Sequence, residues 1–379
     1  MHTVHRSLFV RGVVATAGSG ALVMGMMIAA PSLASAATVS CGTVLTASLT
    51  LTQNLDCTSD TTSTALTIGA VGVTVDLNGH EILGPGDLNN TVGIVDDGYN
   101  NVTVENGSMS NFSDDVEIEG VSGTPLTGAV VKSLKTTDNT VDYSDSVFGD
   151  YLSGASVQAL SSNDADYGVY LDNSESSTIS SSSLVSPFIG LYDDFGAGNT
   201  WSHNSIANVA YEGIYLDLTS ADVVKDNTVT GTGAYGIEDE ESSGTTITKN
   251  TLNDVYDAIY QFRTDGTVSS NKGSHDSYGV YADETTNETY TNNQFNYGQF
   301  GIETDYPTGE LLKGNTTNHN SDLGVYIYTN NETTGGYSAT LDNNTANSNR
   351  FGLYSQIVTS GSGNHATGNK VLNCYNVSC

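Results

Sequence analysis

Tyr167-Gly168-Val169-Tyr170-Leu171-Asp172 is rewritten many times along this chain. It returns as Ile189-Gly190-Leu191-Tyr192, Glu212-Gly213-Ile214-Tyr215, Tyr235-Gly236-Ile237-Glu238 and Asp257-Ala258-Ile259-Tyr260. Further on it becomes Tyr278-Gly279-Val280-Tyr281, Phe300-Gly301-Ile302-Glu303, Leu323-Gly324-Val325-Tyr326 and Phe351-Gly352-Leu353-Tyr354. The glycine, or the alanine at 258, advances by 21 to 23 residues each time, until a last step of 28. A fixed period in this range marks a solenoid.

A second register supports the first. An asparagine recurs at Asn204, Asn227, Asn250, Asn271, Asn293, Asn315, Asn344 and Asn369, with Ser182 in that slot one coil earlier. Three residues before it stand Ile179, Trp201, Val224, Ile247, Val268, Tyr290, Leu312, Leu341 and Ala366. Two residues after it stand Leu184, Ile206, Val229, Leu252, Gly273, Phe295, Thr317, Ala346 and Val371. With the aliphatic after each glycine, every coil is expected to send three apolar residues inward, one per short strand.

One coil cannot bury that face alone, but stacking at about 4.8 Å places like upon like. Asparagines in a tight turn can pass amide hydrogen bonds from coil to coil. The pattern predicts an all-β, single-stranded parallel β-helix of about 12 coils, about 22 residues per coil, on the order of 60 Å long. Propeller blades run nearly twice this period, and a left-handed helix would show a six-residue subrepeat that is absent.

Residues 1–36 read as a secretory signal peptide. Arg6 and Arg11 supply the basic end, residues 12–30 are apolar and free of acid, and Ala34-Ser35-Ala36 is a small-residue cleavage site. Glycines break the apolar run, which argues against a membrane anchor, and no later segment is apolar enough for membrane insertion. Residues 37–60 are expected to form an N-terminal cap, and 61–379 the β-helix. Cys41 and Cys57 lie near the cap, and Cys374 and Cys379 near the last residue. In an elongated solenoid the two local pairings are favoured, one clasp at each end, as in an exported protein.

The formal net charge is −32, and without Arg6 and Arg11 nine basic residues face 43 acidic ones, or −34. That excludes nucleic acid and anionic membrane surfaces as partners, and it opposes capture of polyanionic sugars unless a cation intervenes. The histidines at 80, 203, 275, 319 and 365 share no common coil register and are read as turn residues.

These asparagine-bearing coils resemble the right-handed parallel β-helix of the pectate-lyase-like superfamily, and more narrowly its secreted repeat proteins. The opening, with the Cys41…Cys57 pair followed by Val75-Asp76-Leu77-Asn78-Gly79-His80, is similar to theirs. The resemblance spans nearly all of 37–379 and implies the fold more firmly than the chemistry, because the superfamily includes lyases, glycosidases, epimerases and non-catalytic members. The Gly-His-Gly with Arg-x-Lys of polygalacturonase-like hydrolases is missing. So is the Asp-Pro-His that follows Tyr-Gly in uronate epimerases; Leu171-Asp172 stands there.

Alternation within each repeat turns the aliphatic inward and the next-but-one positions outward. Two outer columns result: Tyr170, Tyr192, Tyr215, Glu238, Tyr260, Tyr281, Glu303, Tyr326, Tyr354, and beside it Asp172, Asp194, Asp217, Glu240, Phe262, Asp283, Asp305, Tyr328, Gln356. Aromatic faces suit sugar rings, and carboxylates suit hydroxyls, calcium or acid/base work. Stacked like charges repel, so a bound cation is expected on this stripe. Arg263 is the only arginine of the central coils. By analogy with superfamily lyases, Glu238, Glu240 and Asp283 are expected calcium ligands, Arg263 the catalytic residue acting on a uronate, and Tyr215, Tyr260 and Tyr281 substrate contacts. The function expected is a secreted, carbohydrate-active protein, a calcium-assisted polysaccharide lyase. The competing expectation is a non-catalytic cell-surface or matrix protein that binds glycan or calcium.

Overall fold

The computed structural model describes residues 39–59, 63–86, 90–137, 144–231, 233, 235–330 and 336–379. The expected signal peptide lies outside them. Strand-to-strand pairing is parallel, coil upon coil: Val169 faces Leu191, Leu191 faces Ile214, and Ile214 faces Ile237. The repeated segment builds one 15-stranded sheet, running from Thr43–Leu45 to Leu372–Tyr375. Two further stacks of short strands close each coil. Thr178–Ser180, Thr200–Ser202 and Val223–Lys225 are successive members of one. Ser183–Val185, Ser205–Ala207 and Thr228–Thr230 are successive members of the other.

The fold is a right-handed parallel β-helix of about 14 turns. The count exceeds twelve because the segment read as a cap already coils. Thr43–Leu45, Leu49–Thr50 and Leu55–Asp56 pair in register with Thr64–Ile68, Thr74–Asp76 and Glu81–Leu83. Disulfides join Cys41 to Cys57 and Cys374 to Cys379.

The apolar columns stack as their spacing requires. Ile179, Trp201, Val224, Ile247, Val268, Tyr290, Leu312 and Leu341 are fully buried in one row. Beside it runs the amide ladder. The backbone N–H and side-chain Nδ2 of Asn227 both donate to Asn250 Oδ1, at 2.9 and 3.0 Å. Asn250 repeats this toward Asn271 at the same two distances, and its Nδ2 also donates to Val224 O at 3.0 Å. Ser182 occupies the slot one coil earlier, donating its N–H to Asn204 Oδ1 at 3.0 Å.

The last coil departs from the expected register. Asn344 donates to Asn364 Oδ1, not to Asn369. Asn369 belongs to a second ladder, accepting from Asn349, which accepts from Asn320, and donating in turn to Asn373 Oδ1. Ala366 therefore lies in register with Ala346 rather than Leu341, since Thr345 bridges His365, and Val371 is exposed rather than inward. The extra residues of the long step fall between the strands Leu323–Tyr328 and Ser338–Asp342, and the closing coil is shorter than the others.

Candidate functional site

The outer face of the 15-stranded sheet carries three columns of side chains, one more than alternation predicts. The expected two are in register: Tyr192 over Tyr170, Tyr215 over Tyr192, Glu238 over Tyr215, with Asp194, Asp217 and Glu240 beside them. The third comes from the residue before each glycine. Tyr167 packs on Tyr170 at 5.6 Å between ring centroids, Tyr235 on Tyr260 at 5.1 Å and Tyr278 on Tyr281 at 5.2 Å. Glu212 occupies this column, in register with Tyr235.

The tyrosines spend their faces on one another. Tyr170 and Tyr192 stack at 4.6 Å and 18°, and Tyr192 and Tyr215 at 4.9 Å and 4°. Such rings present edges and hydroxyls to an incoming ligand, not faces. Tyr215 OH donates to Glu240 Oε2 at 3.1 Å, and Tyr281 OH donates to Asp305 Oδ2 at 3.4 Å. This part of the stripe is a row of hydroxyl donors rather than a platform for sugar rings.

Glu238 breaks the tyrosine column and stands at the centre of a carboxyl cluster. It is 7% exposed, and Glu212 beside it 3%. Burial raises the Glu238 carboxyl far above the usual range, the neighbouring Glu212 raises it further, and Glu240 adds to that. Burial also raises Glu212, partly offset by its hydrogen bond with Glu238. These causes favour the protonated form of Glu238, with Glu212 as its hydrogen-bond partner. Tyr211, Tyr235 and Tyr260 feel the charge of this cluster, so they surround it. Further along, burial lifts Glu303 to about 8 and Asp305 to about 7. The stripe thus sheds much of its formal charge by keeping protons.

The expected calcium ligands do not converge. Phe262 stands in register between Glu240 and Asp283, and Glu238 is followed in its own column by Tyr260 and Tyr281. Among the described residues no three His, Cys, Asp or Glu side chains gather so as to hold a metal ion. Arg263 lies at the rim, in a turn with φ 54°. Its Nε donates to Glu284 at 2.7 Å and its Nη1 to Glu241 at 3.3 Å, and the guanidinium lies 4.4 Å over Phe262. Its side chain is half exposed and its charge already matched by two carboxylates, whose hydrogen bonds raise its pKa further above the ordinary arginine value.

The five histidines of 37–379 occupy no single register, but two of them share one. His275 and His319 each lie four residues past a ladder asparagine, with Tyr297 stacked between them at 6.3 and 5.1 Å.

Residues 87–260 and 234–379 match the family described as "Periplasmic copper-binding protein (NosD)". The chain belongs to the NosD family. Among solved structures, it is similar to the A-module of the Azotobacter vinelandii mannuronan C-5 epimerase AlgE6, with a TM-score of 0.58 at 15% identity over 85% of this chain and 91% of that one. A mutant of the periplasmic alginate epimerase AlgG aligns with a TM-score of 0.53 at 16% identity, over 87% of this chain and 79% of that one. At these identities the likeness is one of fold. No curated protein sequence matches significantly.

The copper in the family's description finds no matching ligand set among the described residues of this NosD-family chain. All four cysteines are in disulfides. His275 and His319 are held apart by the Tyr297 ring, and His203 lies in a different turn, 3.9 Å from Asp226. Copper favours nitrogen and sulfur donors brought together, and these are dispersed.

Proposed function

We propose that this NosD-family protein is an extracytoplasmic, carbohydrate-active β-helix that lays a polysaccharide along the tyrosine stripe, with Glu238 as the proton donor. The observation that carries this reading is the buried, adjacent Glu212–Glu238 carboxyl pair on an otherwise hydroxyl-rich face. A carboxylic acid kept neutral at pH 7 can protonate a glycosidic oxygen, and a neighbouring carboxylate that accepts its hydrogen bond holds it in place. Glu240, two residues farther along the same strand and within hydrogen-bond reach of Glu238, is the second carboxylate at this place. The fold shared with epimerases of alginate polymers and the two disulfides support a setting outside the cytoplasm and a sugar polymer as ligand.

A neutral polysaccharide fits better than a uronate. The formal charge is −32, and the one central arginine is engaged by Glu241 and Glu284. That also weighs against β-elimination at Arg263, since a lyase needs a cation free to meet the uronate. The non-catalytic reading draws on the self-stacked rings, which form a flat face complete without ligand.

Incubation with neutral and acidic polysaccharides, with calcium or with chelator, followed by mass spectrometry of the products, separates these readings. Saturated fragments from a neutral polymer, unaffected by chelator, are expected. Unsaturated oligouronides that vanish with chelator would return the assignment to a calcium-assisted lyase around Arg263. Binding without products from any polymer would leave a glycan-binding protein.

A further inference from the structure

The interior of the central coils is not the uniformly apolar filling that the repeat promises. Between the two outward positions of each repeated strand lies one inward residue. It is Leu171, Leu216 or Ile327 in some coils but Asp193, Asp239, Gln261 or Thr304 in others, all buried. A second inward column faces it across the corner of the coil: Asn199, Asp222, Thr245, Gly266, Glu288, Glu310. Asp193, Asp222 and Glu288 are fully buried, and Glu310 is 1% exposed.

The hydrogen bonds within this seam are too few for ionised carboxylates. Asn199 Nδ2 donates to Asp193 Oδ2 at 2.8 Å, and the N–H of Asn199 to Asp222 Oδ1 at 2.8 Å. Thr264 Oγ1 donates to Glu288 Oε2 at 3.4 Å, and Thr285 Oγ1 to Glu310. Asp193 Oδ1, Asp222 Oδ2, Glu288 Oε1 and Glu310 Oε2 have no hydrogen-bond partner. No lysine, arginine or histidine is among the buried residues described. A buried carboxylate must find a cation or take up a proton. No three acidic side chains here converge on a point where a metal ion could sit.

We propose that Asp193, Asp222, Glu288 and Glu310 are protonated in the native protein, so that protons close this interior seam and a rise in pH opens the central coils. The inference stands apart from the glycan reading. Every group facing these carboxyls is acidic or neutral. Glu288 faces Asp239, Glu310 and Asp265, with Gln261 and Tyr290 beside it; Glu310 faces Asp305, Thr285 and Thr304. Asp193 and Asp222 face each other, Asn199 and Trp201. Burial raises Glu288 to about 9 and Glu310 to about 8, and it raises Asp193 and Asp222 as well. The folded state therefore holds protons that the unfolded chain releases near pH 4. Stability is greatest below that point and is lost as pH rises toward 8 or 9.

Thermal unfolding of the full chain from pH 4 to pH 9 tests this, followed by the fluorescence of Trp201, the chain's only tryptophan, which faces Asp193 and Asp222. The midpoint is expected to fall by several degrees as pH rises, and Glu288→Gln/Glu310→Gln is expected to flatten that slope and melt higher than wild type at pH 9. A midpoint independent of pH, or a slope the double variant keeps unchanged, overturns the proposal. If the double variant does not fold, infrared spectra of the wild-type protein decide. A part of the protonated-carboxyl carbonyl band at pH 7 that is lost near pH 9 and is missing from the single variant Glu288→Gln supports the proposal, and a band that this variant keeps unchanged, or no band at pH 7, overturns it.

Discussion

Single residues show how far burial decides chemistry on this β-helix. Glu238 and Arg263 both stand out in the sequence, one as a break in the tyrosine column and the other as a lone cation. Only Glu238 is withdrawn from water, and withdrawal favours its protonated form. Arg263→Ala should leave the melting temperature nearly unchanged, because it removes exposed ion pairs, and any turnover should survive. Asn250→Ala removes the shared acceptor of Asn227 and the donor to Val224 and Asn271, all in the dry interior. It should cost about 2–4 kcal/mol by denaturant titration. Glu212 was not legible beforehand. Its slot holds Tyr167, Ile189, Tyr235, Asp257 and Tyr278 in other coils, a mixture with no period-two meaning, and only the packing shows that it lies against Glu238.

At the scale of one coil, the exception in the glycine column explains itself. A Cβ at Gly168, Gly190 or Gly213 would fall 2.7, 2.7 or 2.6 Å from Leu184, Ile206 or Val229, the inward residue two past the ladder position of the same coil. Ala258 is the one alanine in the column, and its coil has Gly273 in that inward slot. The two changes compensate. Gly273→Val should destabilise by about 1–3 kcal/mol through overpacking, and Ala258→Gly in that background should recover part of it, read as a double-mutant cycle. Both positions were visible as irregularities, but their relation needs the coil closed in space. The closing coil hides its register for a similar reason: Asn364 and Asn369 each sit two residues before an apolar residue, Ala366 and Val371, so the local pattern does not choose between them. Local pattern could not show that the last coil is short.

Across the whole molecule, the period disclosed a stacked β-helix, because each coil must bury its apolar face on the next, and the resemblance supplied its right hand. What stayed hidden was polar. The inward slot after each outward tyrosine alternates among Leu, Asp, Gln, Ala and Thr, and nothing in the spacing says that its acids are dry. The distribution of charge has a further consequence. With a formal charge of −32 and outer carboxyls stacked coil upon coil, repulsion grows as Asp305, near 7, and Glu303, near 8, lose their protons. Added salt should therefore raise the melting temperature at pH 8 and have a smaller effect at pH 5, where fewer of these groups are charged, as differential scanning calorimetry at both pH values would show.

The most direct test of the functional account compares wild type and Glu238→Gln on the polysaccharide that wild type cleaves or, failing cleavage, binds best. Glutamine keeps the shape and a hydrogen-bond donor to Glu212 but has no proton to transfer. The account predicts a loss of turnover of about 100-fold or more with binding and melting temperature little changed. A variant that turns over as fast as wild type would contradict it, and so would a wild type that binds glycan without ever altering it.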